Sequence, residues 1–92
     1  MAKIIIPTPL RKFTSNQSVF ETTGSTVREA IDELISQHQE LARHLLDDNN
    51  NLRSFIRIYL GEEDINQLQK EQTPVDPDAV ISIVPAIAGG LR

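Results

Sequence analysis

Gly89 and Gly90 stand side by side near the end of a 92-residue chain, directly behind Pro85-Ala86-Ile87-Ala88 and the β-branched run Val80-Ile81-Ser82-Ile83-Val84. Glycine has no Cβ, so a Gly-Gly end can thread a narrow slot where any side chain would meet the walls. The chemistry on offer is that of a main-chain acid: a free Gly90 carboxylate could be activated as an acyl group and passed to a nucleophile. Leu91-Arg92 follow, so that carboxylate would first have to be released. The rest of the chain would then serve to present the segment.

Other chemistries are poorly supplied. There is no cysteine, which excludes a disulfide framework, a thiolate zinc site and a cysteine nucleophile. His38 and His44 lie on or beside helical segments with no third ligand at metal-site spacing, and read as surface histidines. Glu62, Glu63 and Asp64 lack the glycine-spaced loop of a cation site and read as a solvated turn. No metal is expected. A net charge of −4, with Lys and Arg scattered, leaves no basic stripe for a phosphate backbone, so no nucleic-acid partner is expected. The mild acidity fits an ordinary polar surface, or docking on a basic one. The N-terminal apolar run is shorter than a signal-peptide core, and no stretch approaches the ~20 residues that cross a bilayer. A cytoplasmic protein without a membrane partner is expected.

With 39% hydrophobic residues the chain can bury one modest core, so a single domain over 1–92 is expected. Lys3 to Ile6 is a compact β-branched run closed by Pro7-Thr8-Pro9, and reads as a buried first strand. After a turn around Thr14-Ser15-Asn16, Gln17 to Thr22 reads as its antiparallel partner. Thr26 and Glu29 have capping-box spacing, in which hydroxyl and carboxylate satisfy amides that the first helical turn leaves unpaired. The helix beginning there carries Val27, Ala30, Ile31, Leu34 and Ile35 on one stripe, with Arg28, Glu29, Asp32, Glu33 and Ser36 mostly opposite.

Gln39 to Leu46 contributes Leu41, Ala42, Leu45 and Leu46, and Asp47-Asp48-Asn49-Asn50-Asn51 is a loop. Phe55 to Leu60 alternates with period two, as a half-buried strand does. Gly61 to Asp64 turns, with a weak strand after it; Ile65 and Leu68 cover the core edge, and Thr73 to Asp78 blocks regular structure. Ala79 to Val84 is the last strand, and Pro85, without an amide proton, marks where the chain leaves the sheet. Residues 85–92 are expected to form a flexible C-terminal tail. The class is α+β: a mixed sheet of four to five strands covered by one principal helix.

The element order and the ending together resemble the ubiquitin-like β-grasp sulfur carriers, a family that includes the molybdopterin synthase small subunit, the thiamine sulfur carrier and the carrier of cysteine synthesis. The resemblance is carried by Asp76-Pro77-Asp78-Ala79 through Gly89-Gly90, by Thr26-Val27-Arg28-Glu29-Ala30 at the helix start and by Ile56-Arg57-Ile58-Tyr59-Leu60. It implies that the Gly90 carboxylate is adenylated with ATP by a ubiquitin-activating-type adenylyltransferase, converted to a thiocarboxylate, and used to donate sulfur in a sulfur-accepting synthase. The carrier itself would be no enzyme, with no catalytic side chain and no bound cofactor. Pro85 to Gly90, extended at ~3.3 Å each, would reach about 20 Å from the sheet.

The chain departs from the family's pattern in ending on Arg92 and not on Gly90. A minority of carriers resemble it in having a short extension, which a zinc-dependent peptidase removes; processing would then cut between Gly90 and Leu91, leaving Ala88-Gly89-Gly90 as the end of the tail. The resemblance also implies an apolar docking patch of Pro7, Tyr59 and Val84, residues that simple packing would equally explain. The strand and the ending lean toward the cysteine-synthesis type. The alternatives are a protein modifier joined to lysines through Gly90, and an interaction module whose tail is never activated.

Overall fold

Ala2 and Ile4 are buried while Lys3 between them is exposed, so the first strand, β1 (Ala2–Ile5), presents one side to the core. The computed structural model of the chain describes residues 1–85. Five strands form one sheet in the order β2-β1-β5-β3-β4, built from β1, β2 (Val19–Thr22), β3 (Ile56–Leu60), β4 (Glu63–Asp64) and β5 (Val80–Pro85). Lys3, Ile4 and Ile5 of β1 pair in parallel with Val80, Ile81 and Ser82 of β5, and every other pairing is antiparallel. The expectation of a buried first strand holds for Ile4 and Ile6 but not for Lys3, which is exposed, or Ile5, which is half-buried: among the described residues the helical cover lies on one side of the sheet.

The covering helix, α1, spans Val27–Gln37 and buries Val27, Ala30, Ile31 and Leu34 of the stripe read from the sequence, with Ile35 partly buried against the core. Thr26 caps it, its Oγ1 accepting from the Glu29 amide at 3.2 Å. The reciprocal half of the capping box differs from expectation. Glu29 Oε1 accepts from the amide and the hydroxyl of Ser25, one residue before the cap, at 2.9 and 2.8 Å. The Val27 amide instead donates to the Thr73 carbonyl, which ties the start of α1 to the segment leading into β5.

The remaining cover is irregular. Pro7-Thr8-Pro9 ends β1, as expected, but a 3-10 helix over Thr8–Phe13 starts there and buries Leu10; fixed φ and a missing amide are tolerated in a first turn. Ser15 and Asn16 have φ of 56° and 68°, and the buried Thr14 hydroxyl donates to the Gln17 carbonyl at 2.9 Å, closing the turn into β2. A 3-10 turn at Gln39–Leu41 and the short helix α2 (Ala42–Leu45) bury Leu41 and Leu45. The Asp47–Asn51 loop is closed by Asp47 Oδ1, which accepts from the amides of Asn49 and Asn51.

Two expectations near the later strands shift by small amounts. Glu63 and Asp64 are not a free turn: they pair with Leu60 and Tyr59 as β4, Asp64 Oδ1 accepts from the Asn66 amide, and Asp64 Oδ2 accepts from Arg57 at 3.3 Å. Pro85, expected to mark where the chain leaves the sheet, stands opposite Ile56 as the last residue of β5, three residues beyond the pairing with β1, which reaches Ser82.

Candidate functional site

β5 is the strand that would carry the glycines, and it lies inside the sheet, between β1 and β3. Its inward residues Ile81 and Ile83 are 0% and 3% exposed, so the strand is anchored by the core along its length. Hydrocarbon burial of this kind contributes roughly 1.5–3 kcal/mol per side chain, enough to hold the strand rigid under whatever follows Pro85. Ala88, Gly89, Gly90 and Leu91 lie outside the described residues.

Of the expected docking residues, Val84 is 42% exposed on the open side of β5. Its cross-strand partner is Arg57, and Tyr59, opposite Ser82, is its diagonal neighbour on the same side. Pro7 is half-buried and extended, at φ −68° and ψ 152°, and follows the buried Ile6 just beyond the end of β1. Register therefore brings Tyr59 and Val84 together on the open side, toward the end of the sheet where Pro85 sits, with Pro7 at the same end. Val19 and Val80, each 40% exposed, add to this face farther along.

The histidines are neither buried nor free. His38 ends α1, with Nε2 3.1 Å from Gln17 Oε1 and its ring edge-on to Phe20; His44 stacks on Phe13 with centroids 4.2 Å apart. Both rings thus fasten the helical layer to the segment 8–20. The basic residues scattered along the sequence also change character in space. Arg11, Lys12, Arg43 and Arg53 sit on segments that meet at the end of the sheet where β5 finishes, through the contacts between Phe13 and His44 and between Arg53 Nε and the Arg43 carbonyl. Spacing in the chain carried no sign of this, because the four arrive on three separate segments.

In the middle of α1, Glu33 Oε1 accepts from Thr22 Oγ1 at 2.6 Å and from the Thr23 amide at 2.9 Å. The Thr22 hydroxyl, followed by the Thr23 amide, holds the Glu33 carboxyl below its ordinary value of 4.5. Arg28, expected on the solvent side of α1, is largely covered and pairs with Asp32 at 3.0 Å and Glu71 at 2.9 Å. Among the described residues no helix is long and apolar enough to cross a membrane.

This arrangement, an internal strand whose end is displayed between an open sheet face and a helical layer, can be set beside known proteins. The ThiS family pattern matches residues 4–90. The chain belongs to the ThiS family. Sulfur carrier protein CysO of Mycobacterium tuberculosis is 29% identical over 89 residues, 95% of this chain and 96% of that protein. A chain in the crystal structure of the Amycolatopsis orientalis BexX/CysO complex superposes with a TM-score of 0.88 at 32% identity, covering 98% of this chain and 100% of that one. Small archaeal modifier protein 1 of Methanosarcina acetivorans superposes equally well, at 0.88, but at 19% identity, over 97% and 95% of the two chains. The fold is the β-grasp of these ubiquitin-like proteins. The match to the ThiS family pattern runs through both glycines and stops before Leu91.

Proposed function

We propose that this ThiS family member is a sulfur carrier precursor, a protein cosubstrate and not a catalyst. After a zinc-dependent peptidase removes Leu91-Arg92, an adenylyltransferase of the ubiquitin-activating type joins the Gly90 carboxylate to AMP from ATP, releasing pyrophosphate. Hydrosulfide then displaces AMP, or a persulfide does so and a thiol cleaves the resulting S–S bond. The Gly90 thiocarboxylate donates its sulfur within a synthase, in a pathway of the cysteine type by likeness to CysO, with the molybdopterin and thiamine types as the other outcomes. The adenylate is needed because a carboxylate is a poor electrophile and AMP is a good leaving group. ATP is used by the partner, in the cytoplasm, and this chain binds no cofactor of its own.

The observation that carries the reading is the family match ending on Gly90, together with the likeness to CysO over 89 residues. Its physical support is the placement of β5 inside the sheet, which gives the following segment a firm base. The test uses a chain ending at Gly90, incubated with the activating enzyme of the same cell, ATP and sulfide. Intact mass should show one oxygen replaced by sulfur. Failure to form that product, or cells under sulfur demand holding only the 92-residue form, would overturn it. Mass additions on lysines of other proteins, lost when Gly90 is deleted, would favour the modifier reading.

A further inference from the structure

The charges of this chain are spread unevenly between its two ends, with Lys3 among the acidic residues where β5 begins and Glu40 and Asp48 among the basic ones where it finishes. Where β5 begins, the exposed side chains include Glu62, Asp76 and Asp78, with Glu29 at the start of α1. Where β5 finishes, the segments that carry Arg11, Lys12, Arg43 and Arg53 meet on the helical side of the sheet. Arg11 Nε donates to the carbonyl of Ile6, the residue just past β1, at 3.0 Å. Arg53 Nε donates to the Arg43 carbonyl at 3.0 Å, and the Arg53 carbonyl receives the amide of Ile56, the residue paired with Pro85. Lys12 Nζ lies 5.2 Å from the Phe13 ring, whose stacking on His44 joins the two halves of the group.

Two features separate this group from an ordinary solvated surface. Arg11 and Arg53 are each held through Nε to a backbone carbonyl, which fixes the plane of the guanidinium while leaving its terminal Nη groups for a bidentate acceptor. Among the described residues, none of the four side chains is ion-paired to a carboxylate, whereas Arg28 and Arg57 are. Glu40 and Asp48 share this end of the molecule, and Asp47 is spent on loop amides. The group also flanks the end of β5 on both sides, since β1 and β3 are its two neighbours.

We propose that Arg11, Lys12, Arg43 and Arg53 form a cationic collar that pairs with an acidic rim around the slot of a partner protein, orienting the chain tail-first. This rests on the reading of the C-terminal glycines as a segment presented to a partner. The collar meets the rim and not the nucleotide. Five residues, 86 to 90, span at most about 18 Å, so when that segment is extended into a slot the adenylated atom lies well beyond the reach of an arginine at the base. A net charge of −4 would by itself repel an acidic partner. The uneven distribution lets the end with the four basic residues lead, and steering of this sort acts mainly on association rate and fades with salt.

The test titrates the full chain with a hexaglutamate peptide while following arginine Nε–H and backbone amide NMR signals. Perturbations should centre on residues 11–12, 43 and 53 and shrink at about 0.3 M salt. The Arg11→Gln/Arg53→Gln variant should bind the peptide about tenfold more weakly with an unchanged melting temperature, and Lys70→Gln should bind as wild type. The proposal is overturned if Lys3 or Lys70 responds as strongly, if nothing responds, or if ATP binds the collar more tightly than the peptide. In a second arm, chains ending at Gly90 are offered to the activating enzyme. A KM raised about tenfold in the double variant, with kcat kept, supports the collar; an unchanged KM overturns it. If wild type is never adenylated while the peptide result holds, the carrier reading falls and the collar stands as an acidic-protein site.

Discussion

Along β5, Ile81 and Ile83 are sealed in the core while Val80 and Val84, side chains of the same kind, are about two-fifths exposed on the other side. One strand thus supplies both the core and the open face, and hydrophobicity alone does not separate the two roles. Their difference lies in what is laid over them. α1, the 3-10 segments and α2 close the inner side, whereas the outer side mixes the apolar Ile5, Val19, Tyr59, Val80 and Val84 with Lys3, Ser82, Arg57 and Asp64. The inner face is expected to answer for stability and the outer face for partners.

The strongest way to break that division is Ile81→Ala. Ile81 stands between Ile4 and Leu60 and is fully buried, so truncation should cost about 3–5 kcal/mol in denaturant unfolding. A loss below about 1 kcal/mol would mean that the inner face is not the core.

Gly24 tests how closely the helix is pressed onto the sheet. A Cβ at this position would lie 2.6 Å from the Ala30 amide nitrogen and 2.8 Å from the Glu29 carbonyl carbon, both main-chain atoms of α1 that cannot rotate away. Gly24→Ala should therefore cost about 1–3 kcal/mol by displacing α1. A neutral result would mean that the end of β2 yields without cost.

The Glu33 carboxylate fastens the same junction and gives it a pH dependence. The buried Thr22 hydroxyl donates to it, so Glu33→Ala leaves a buried donor unpaired and should cost about 1–2 kcal/mol near neutral pH. Because the folded carboxyl is held below its ordinary value of 4.5, its contribution is complete above about 4.5 and lost as pH falls through the lowered folded value. Melting temperatures of wild type and Glu33→Gln should differ at neutral pH and converge in acid. Parallel curves down to the acid limit would remove Glu33 from the account.

How much of this was legible follows from where the information lies. The α1 stripe and the alternation of Phe55 to Leu60 come from local periodicity, and both stand in the structure. The 3-10 helix at Thr8–Phe13 was hidden behind two prolines that look like pure breakers. Arg28 and Glu33 read as solvent-facing because helical spacing assigns faces without knowing what lies beside them; Glu71 and Thr22, far off in sequence, gave them their roles. The collar needed three segments to meet. The Gly-Gly ending was visible at once, since its chemistry belongs to the main chain and needs no partner residue.

The smallest change in stability is expected on the open face, and it sharpens the comparison most. Val84→Ala removes hydrocarbon that water already touches, so unfolding should shift by less than about 0.5 kcal/mol. If Val84, with its diagonal neighbour Tyr59, is covered by a partner on docking, the two lost methyl groups are worth up to about 1.5 kcal/mol there. KM for adenylation of the chain ending at Gly90 should then rise about three- to tenfold with kcat unchanged. Ile83→Ala, one residue earlier, should do the reverse: a lowered melting temperature and an unchanged KM per folded molecule. The two alanines sit on adjacent residues of one strand, so a shared phenotype could not come from distance to the tail. If both lowered the melting temperature and neither changed KM, both faces would serve the fold and the partner would touch neither.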